Sequence, residues 1–338
     1  MKRWGRIALG ATSAAALVVG GLTAYAGTAG AAVHPNAVSY TVVTEPDDGY
    51  QPIYDLIDSA TSTLDMTMYE LTDTTAEQHL ADAASNGVTV RVILDQQREK
   101  SNNTDAYNYL SDHGVQVHWS SDAYACTHQK TITVDGTTSA IMSGNLTSQY
   151  YSTSRDFAVI ENNSYDVNAI EKVFNADFSD SSITPTDGDH LVWSPTDSQT
   201  QLLPIIENAT TSLSIENEEM GYDTVTTALE AAAKRGVDVQ ITMTNSYDDY
   251  ATEFDALTAA GAHVHTYPDD DTSLYIHAKV IIADAGSSDQ IIDVGSQNFS
   301  NASWNENREL GFITTDATII DKLNTTLASD YAGGTAWT

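Results

Sequence analysis

The chain contains an internal repeat that limits the folds it can adopt. Around Gly87 the sequence reads AASNGVTVRV, and around Gly236 it reads AAKRGVDVQI. The two glycines lie 149 residues apart. The same offset relates five further pairs: Leu64 and Leu213, Glu70 and Glu219, His128 and His277, Lys130 and Lys279, and Asp135 and Asp284. One register held over so long a stretch indicates a duplicated structural unit.

Both copies predict the same order of elements: a strand (64–69; 213–218), an Ala-rich helix that ends at a glycine (76–85; 225–234), a second strand (88–94; 237–243), a short helix (105–112; 253–260) and a further strand that leads to a histidine. Strands that alternate with helices favour a mostly parallel sheet covered by helices. We therefore predict an α/β fold, a duplicated α/β/α sandwich with mostly parallel or mixed sheets and a pseudo-twofold axis. The halves are expected at 36–183 and 190–338, joined by a polar linker at 181–189.

The N-terminal residues predict an export signal. Lys and Arg within the first six residues precede an apolar run from Ile7 to Val19, and small residues up to Ala31 offer cleavage sites. This order is typical of a secretory signal peptide, here residues 1–32, and the run is shorter than the roughly 20 residues of a membrane-spanning helix. We therefore expect a secreted, extracellular protein.

The charge of the chain restricts its partners. There are 47 Asp and Glu against 14 Lys and Arg, a net charge of −33. This argues against a general nucleic-acid binder, because such affinity depends on neutralising phosphates with basic side chains. It also disfavours adsorption to strongly anionic membranes.

Each copy carries a His-x-Lys motif followed by Asp, Ser and Asn. The members are His128, Lys130, Asp135, Ser143 and Asn145 in the first copy, and His277, Lys279, Asp284, Ser296 and Asn298 in the second. Because residues i and i+2 of a strand point to the same face, each His is expected to project beside its Lys. Cleavage of a phosphodiester needs a nucleophile, an acid for the leaving oxygen, and cations for the non-bridging oxygens. Two imidazoles and two ammonium groups can supply these without a metal.

These motifs resemble the HxKxxxxD(x)nGSxN pattern of the phospholipase D superfamily, over nearly all of the chain after the leader. The second copy fits apart from a longer insertion before Gly295, whereas Met142 stands in the first copy where the family usually has Gly. The resemblance implies a phospholipase D-like fold, with His128 as the nucleophile that forms a phosphohistidine and His277 as the general acid.

The resemblance also assigns roles to the other motif residues. Lys130 and Lys279 would act with the histidines, and Asp156 and Glu309 would be the downstream carboxylates that orient the imidazoles. Phosphate-binding roles fall to Ser143, Asn145, Ser296 and Asn298. Asp135 and Asp284 are expected to be structural.

No metal or cofactor is expected. Cys126 and His128 could share a metal ion, but there is one cysteine in the chain and the two lysines would repel a cation. The single cysteine also excludes an intramolecular disulfide, so we expect Cys126 to be a small buried residue. The acidic run at 269–271 lacks the Gly and distal Glu of a calcium loop and is expected to be a solvated turn.

Four aromatic residues near the motifs allow two interpretations. Tyr150, Tyr151, Trp193 and Trp304 could line the mouth of the site or pack in the core.

The leading hypothesis for function is hydrolysis of a glycerophospholipid, with transfer to a second alcohol as an additional outcome. The alternative is a secreted metal-independent endonuclease of the same superfamily, which the small size favours and the acidic charge opposes. A transferase similar to cardiolipin synthase is the weaker expectation, because those enzymes are usually membrane-bound. A binding protein without catalysis is disfavoured, since both His and both Lys are present. We expect a monomer that contacts its phospholipid substrate, and transiently the membrane surface.

Overall fold

Each copy of the repeat builds one mixed sheet in the computed structural model, which describes residues 38–338. The strands of the first copy are β1 (Tyr40–Glu45), β2 (Thr63–Met68), β3 (Thr89–Leu94), β4 (Gln116–Trp119), β5 (Thr131–Val134), β6 (Thr138–Met142) and β7 (Ser154–Glu161). Those of the second are β8 (Leu191–Ser194), β9 (Ser212–Glu216), β10 (Asp238–Asn245), β11 (His263–Pro268), β12 (Tyr275–Ile276), β13 (Val280–Ala283), β14 (Ile291–Gly295), β15 (Glu309–Thr314) and β16 (Thr335–Ala336). The predicted leader at 1–32 lies outside the described residues.

Helices connect and cover the strands. They are α1 (Gln51–Asp58), α2 (Thr74–Ser85), α3 (Lys100–Asp112), α4 (Ser164–Phe178), α5 (Ser198–Asn208), α6 (Asp223–Lys234), α7 (Ala251–Ala260), α8 (Asn301–Asn305) and α9 (Ala317–Gly333). The Ala-rich helices of the prediction are α2 and α6. Each is followed by a glycine with positive φ, 93° at Gly87 and 92° at Gly236. Glycine adopts this left-handed conformation without steric cost and so ends both helices at equivalent points.

The sheets combine parallel and antiparallel pairs. Their orders are β1-β7-β6-β5-β2-β3-β4 and β16-β11-β10-β9-β13-β14-β15-β8. Only β2-β3-β4 and β9-β10-β11 are parallel along these paths, because helices make the crossovers there. β5-β6 and β13-β14 follow one another through short connections and are antiparallel. The duplicated α/β fold is confirmed, and of the two predicted alternatives for the sheets the mixed one is observed.

A third core joins the two halves. Each half has its own core under its helices, but another cluster packs Phe157 of β7 with Val280 of β13, Phe312 of β15 and the apolar faces of α4 and α9. Trp193 and Trp304 are buried packing residues. No helix among residues 38–338 is both long enough and apolar enough to span a bilayer.

Equivalent aspartates anchor the two halves at the turns after β5 and β13. The Asp135 carboxylate accepts hydrogen bonds from the backbone N–H groups of residues 61–63, and Asp284 accepts them from residues 210–212. Both aspartates have φ of 52°, in the left-handed region that Asp tolerates. Burial opposes ionisation, but the hydrogen bonds outweigh it and hold the pKa of both carboxyls well below the ordinary value. Both residues lie at strand ends and tie the turn to the start of β2 or β9.

We expect Asp284→Ala to lower the free energy of unfolding by about 2–3 kcal/mol, because several charge-assisted hydrogen bonds to backbone N–H groups are lost together. Urea denaturation followed by circular dichroism measures this. Asp289→Ala is the matched control, since Asp289 lies nearby on the same connection and is exposed. Equal stability of the two variants would contradict the anchoring role.

Candidate active site

The two His-x-Lys segments lie just before β5 and β13, in extended chain that is bound to the opposite half. The N–H groups of His128 and Gln129 both donate to the carbonyl of Arg308, at 2.9 and 3.0 Å. In the second copy β12 pairs in parallel with Ser154 and Arg155 of β7. The expectation that the histidines lie within strands is therefore corrected. Each His-x-Lys segment contacts the opposite half first, and the chain enters its own sheet only at β5 or β13.

This crossing gives each imidazole a carboxylate from the other half. Nδ1 of His128 lies 2.9 Å from Oε2 of Glu309, and Nδ1 of His277 lies 2.8 Å from Oδ1 of Asp156. Both carboxylates are buried. A carboxylate accepts the Nδ1 proton, which leaves Nε2 of each ring as the nitrogen available for chemistry.

Hydroxyl groups hold these carboxylates in place. Asp156 accepts hydrogen bonds from Ser143 Oγ at 2.6 Å and from Ser154 Oγ at 2.7 Å. Glu309 accepts from Ser303 Oγ at 2.6 Å and from Asn307 Nδ2 at 2.9 Å. Ser143 therefore orients a carboxylate instead of binding phosphate.

The predicted phosphate-binding role of Ser296 needs the same correction. Its hydroxyl is fully buried, where it accepts from the N–H of Leu310 at 3.2 Å. The Ser296 hydroxyl, which the family pattern had suggested for phosphate, is therefore bound to the backbone of β15. Asn145 and Asn298 differ from the serines, because both line the cavity and each has a carbonyl oxygen with no partner among the described residues.

Burial and neighbouring charges shift the pKa values of His128 and of the two carboxylates, Asp156 and Glu309. Burial and the nearby Lys130 ammonium lower the pKa of His128. Burial would raise the pKa of Asp156 and Glu309, but the imidazole that each one contacts outweighs it, so both pKa values are lowered. The carboxylates therefore stay ionised at neutral pH.

The two lysines are nearly inaccessible, at 1% exposure each. The ammonium of Lys130 donates to the carbonyl of its own His128 at 2.7 Å, and the ammonium of Lys279 donates to the carbonyl of His277. Burial and the second lysine lower the pKa of Lys130 to about 7. Each His-x-Lys motif is thus folded back on itself, with the ammonium fixed beside the imidazole.

Glu218 is a site residue that sequence reasoning missed. Its carboxylate lies 2.9 Å from Nζ of Lys279, 3.3 Å from Nδ2 of Asn298 and 3.6 Å from Nε2 of His277. Burial opposes its ionisation, but Lys279 and His277 outweigh this and lower its pKa. The repeat places Tyr69 at the equivalent position of the first copy, so the two halves of the site are chemically different.

Both histidines open onto one cavity of 520 Å³. Its wall includes the carboxylates of Glu70, Glu218 and Glu219 and the acidic run at 269–271. It also includes five tyrosines, which are Tyr50, Tyr69, Tyr150, Tyr151 and Tyr275. Tyr150 and Tyr151 therefore line the site, and the acidic run is part of its rim. The cavity is wide enough for a small diester group, and its walls are both aromatic and acidic.

The described residues offer no metal site. Between residues 38 and 338, no group of three or more His, Cys, Asp and Glu side chains is arranged to hold a metal ion. Cys126 is buried, and burial together with Glu309 raises the pKa of its thiol to about 12. A thiol of that acidity stays protonated and is a poor metal ligand.

The exchange of carboxylates predicts the response of one imidazole to one substitution. Glu309→Gln should lower the pKa of His128 further, because the negative charge that stabilises its imidazolium is removed. A ¹H–¹⁵N titration of the imidazole nitrogens measures this. Asp156→Asn is the matched control and should leave the pKa of His128 nearly unchanged; the opposite pattern would show that the pairing is within halves.

Comparison with known proteins identifies the family. The sequence profile of the family described as "Cardiolipin synthase, PLD-like domain" matches residues 53–178 and again residues 202–331. The major cardiolipin synthase ClsA of Bacillus subtilis is 26% identical to this chain, over 86% of the chain and 68% of that protein.

Solved structures show the same fold at low identity. A phosphatidylserine synthase from Haemophilus influenzae has a TM-score of 0.67 at 13% identity, over 88% of this chain and 87% of its own. A polyphosphate kinase from Porphyromonas gingivalis has a TM-score of 0.66 at 13% identity, over 86% of this chain and 50% of its own. The two profile matches cover most of the chain, and one falls in each half. The chain belongs to the phospholipase D-like family, as the paired motifs predicted.

Proposed function

We propose that this protein cleaves the phosphodiester of a glycerophospholipid and transfers the phosphatidyl group to water or to a second alcohol. The observation that carries the proposal is the pair of imidazoles, His128 and His277, whose Nδ1 atoms are both held by buried carboxylates and which open onto one cavity. Proteins named cardiolipin synthase and phosphatidylserine synthase support a phospholipid substrate, and they favour transfer to an alcohol more strongly than the motifs alone did.

The two histidines divide the reaction between them. Nε2 of His128 attacks phosphorus, a P–N bond forms, and the bond from phosphorus to the head-group oxygen breaks while that oxygen takes a proton from His277. Water or an alcohol then gives its proton to His277 and attacks phosphorus, which breaks the P–N bond and restores His128. The lowered pKa of His128 favours the neutral imidazole that a nucleophile requires. Glu218 places a negative charge beside Nε2 of His277, the nitrogen that must carry a proton.

The remaining groups would bind the phosphate. Lys130 has one acceptor among residues 38–338, the carbonyl of His128, so two of its N–H groups remain for phosphate oxygens. Asn145 and Asn298 line the cavity and can donate to the same oxygens. Such fixed donors stabilise the negative charge on the non-bridging oxygens in the transition state without reorganisation.

Charge favours a lipid over a nucleic acid as the substrate. The net charge is −33, and Glu70, Glu219 and the acidic run at 269–271 form part of the cavity wall. The carboxylates of the rim would repel each neighbouring phosphate of a polyanion, whereas a phospholipid brings a single diester. The basic and apolar order of residues 1–32 supports export, so we propose that the enzyme acts outside the cell.

The first test is the loss of turnover on removal of the nucleophile. His128→Ala should lower kcat by about 10³-fold or more, because no other group forms the covalent intermediate. Hydrolysis and butanol transfer are measured on short-chain phosphatidylcholine in the presence of a chelator, with single-stranded DNA as the competing substrate. His113→Ala, an exposed histidine, is the control. Full activity of His128→Ala would refute the mechanism, and cleavage of DNA alone would reassign the enzyme as a nuclease.

The second test is the dependence of kcat/KM on pH. Since the pKa of Lys130 lies at about 7, the free enzyme should lose this cation as the pH rises through that value, and kcat/KM should fall. Lys130→Arg keeps the charge at all these pH values and should move the fall to higher pH, at a rate roughly 10–100-fold lower because the donor geometry changes. Lys172→Arg, on the exposed face of α4, serves as the control. An unmoved alkaline limb in Lys130→Arg would contradict the assignment.

A further inference from the structure

The two halves of the site differ at one equivalent pair, Tyr69 and Glu218, which lie 149 residues apart in the register of the repeat. In the first copy the Tyr69 ring packs against its neighbours: its centroid is 4.6 Å from that of the His128 ring and 4.9 Å from Nζ of Lys130. In the second copy the Glu218 carboxylate occupies the position equivalent to the Tyr69 ring. The duplicated frame therefore presents a neutral aromatic beside one lysine and an anion beside the other.

Glu218 is bound by the same donors that a phosphate would use. It accepts from Lys279 at 2.9 Å, from Asn298 at 3.3 Å and from the Tyr275 hydroxyl at 3.2 Å, and it lies 3.6 Å from Nε2 of His277. Its side chain is 25% exposed, so it reaches the cavity surface and is not sealed in the core. An ionised carboxylate offers two oxygens that share one negative charge, as two non-bridging oxygens of a phosphodiester do.

We propose that Glu218 is a specificity-determining residue, which competes with phosphate oxygens for Lys279 and Asn298 and so makes the site favour a monoanionic phosphodiester over a dianionic phosphomonoester. This rests on the proposed function, since it requires that the cavity binds a phosphate. Two lysines alone would hold the dianion more tightly, because Coulomb attraction scales with the charge of the ligand. Glu218 cancels the charge of Lys279, and the acidic run at 269–271 in the cavity wall then turns the electrostatic balance against the dianion.

The consequence concerns the product of hydrolysis. Cleavage of a phospholipid diester leaves a phosphomonoester, whose second ionisation lies at about pH 6, so that it is largely dianionic at neutral pH. Repulsion by Glu218 weakens the binding of this product more than that of the substrate. Glu218 thus promotes product release and protects the site from inhibition by phosphomonoesters in the surroundings.

Methyl phosphate and dimethyl phosphate form a matched pair of probes, since they are close in size and differ in charge at pH 7.5. Their dissociation constants are measured by thermal shift and by inhibition of phosphatidylcholine cleavage, in the wild type and in Glu218→Gln. The wild type should bind dimethyl phosphate more tightly. In Glu218→Gln, dimethyl phosphate should gain roughly fivefold in affinity and methyl phosphate roughly twenty-fivefold, because the lost repulsion doubles with the charge of the ligand.

Glu219→Gln is the control, because it removes a negative charge from the same cavity but not from the position that contacts Lys279 and Asn298. Glu219 lines the same cavity, but it makes no hydrogen bond to Lys279 or Asn298, so its variant should keep the wild-type ratio of the two affinities. Glu218→Asp keeps the charge and should keep most of the discrimination. Circular dichroism checks the fold of each variant; if Glu218→Gln does not fold, the wild-type ratio decides.

Three results would overturn the inference. They are tighter binding of methyl phosphate than of dimethyl phosphate by the wild type, an unchanged ratio in folded Glu218→Gln, and an equal change of the ratio in Glu219→Gln. Failure of the wild type to bind either probe is a different outcome, because it removes the phosphate site itself and with it the proposed function.

Discussion

The site depends on one interaction made twice: a buried carboxylate of one half holds the imidazole of the other. Glu309 of β15 binds His128, and Asp156 of β7 binds His277. The backbones of the two halves are also paired with each other, since residue 127 forms a β-bridge with residue 308 and β12 pairs with β7. For these two pairs of the site, neither half contains both the imidazole and its carboxylate. Loss of one partner of such a buried pair costs about 3–5 kcal/mol, so docking of the halves and assembly of the site are a single event.

Duplication supplied a symmetric frame, and a few substitutions within it made the chemistry asymmetric. The turns anchored by Asp135 and Asp284 are nearly identical, and both lysines fold back on their own histidine carbonyls. Tyr69 and Glu218 occupy equivalent positions with different charge, however. One imidazole therefore lies in an environment that favours its neutral form, while the other has an anion beside Nε2. A nucleophile and an acid can arise in this way from two copies of one motif.

The sequence predicted the parts of the fold that local patterns determine. Strands β2 and β9 and helices α2 and α6 were placed within a few residues of their observed bounds, since hydrophobic periodicity and the glycines at 87 and 236 define them. The prediction allowed mixed sheets but did not say which strands are antiparallel, because the hairpins β5-β6 and β13-β14 depend on short turns that the alternation of strands and helices does not reveal.

Features that depend on docking could not be predicted from one half. The sequence identified Asp156 and Glu309, but not the half whose imidazole each one orients. Ser143 and Ser296 matched the family pattern, yet their hydroxyls serve a carboxylate and a backbone amide. Glu218 could not be predicted because the repeat is visible only in identical pairs such as Glu70 and Glu219, and Glu218 has diverged from its equivalent Tyr69.

The most direct test of the account is the stereochemical course at phosphorus. A short-chain phospholipid made chiral at phosphorus with sulfur and heavy oxygen is cleaved by the enzyme, and the configuration of the product is determined by ³¹P NMR. Attack by His128 and the later displacement of His128 each invert the configuration, so overall retention is expected. Overall inversion would show that water attacks phosphorus directly, and it would contradict the division of labour between the two imidazoles.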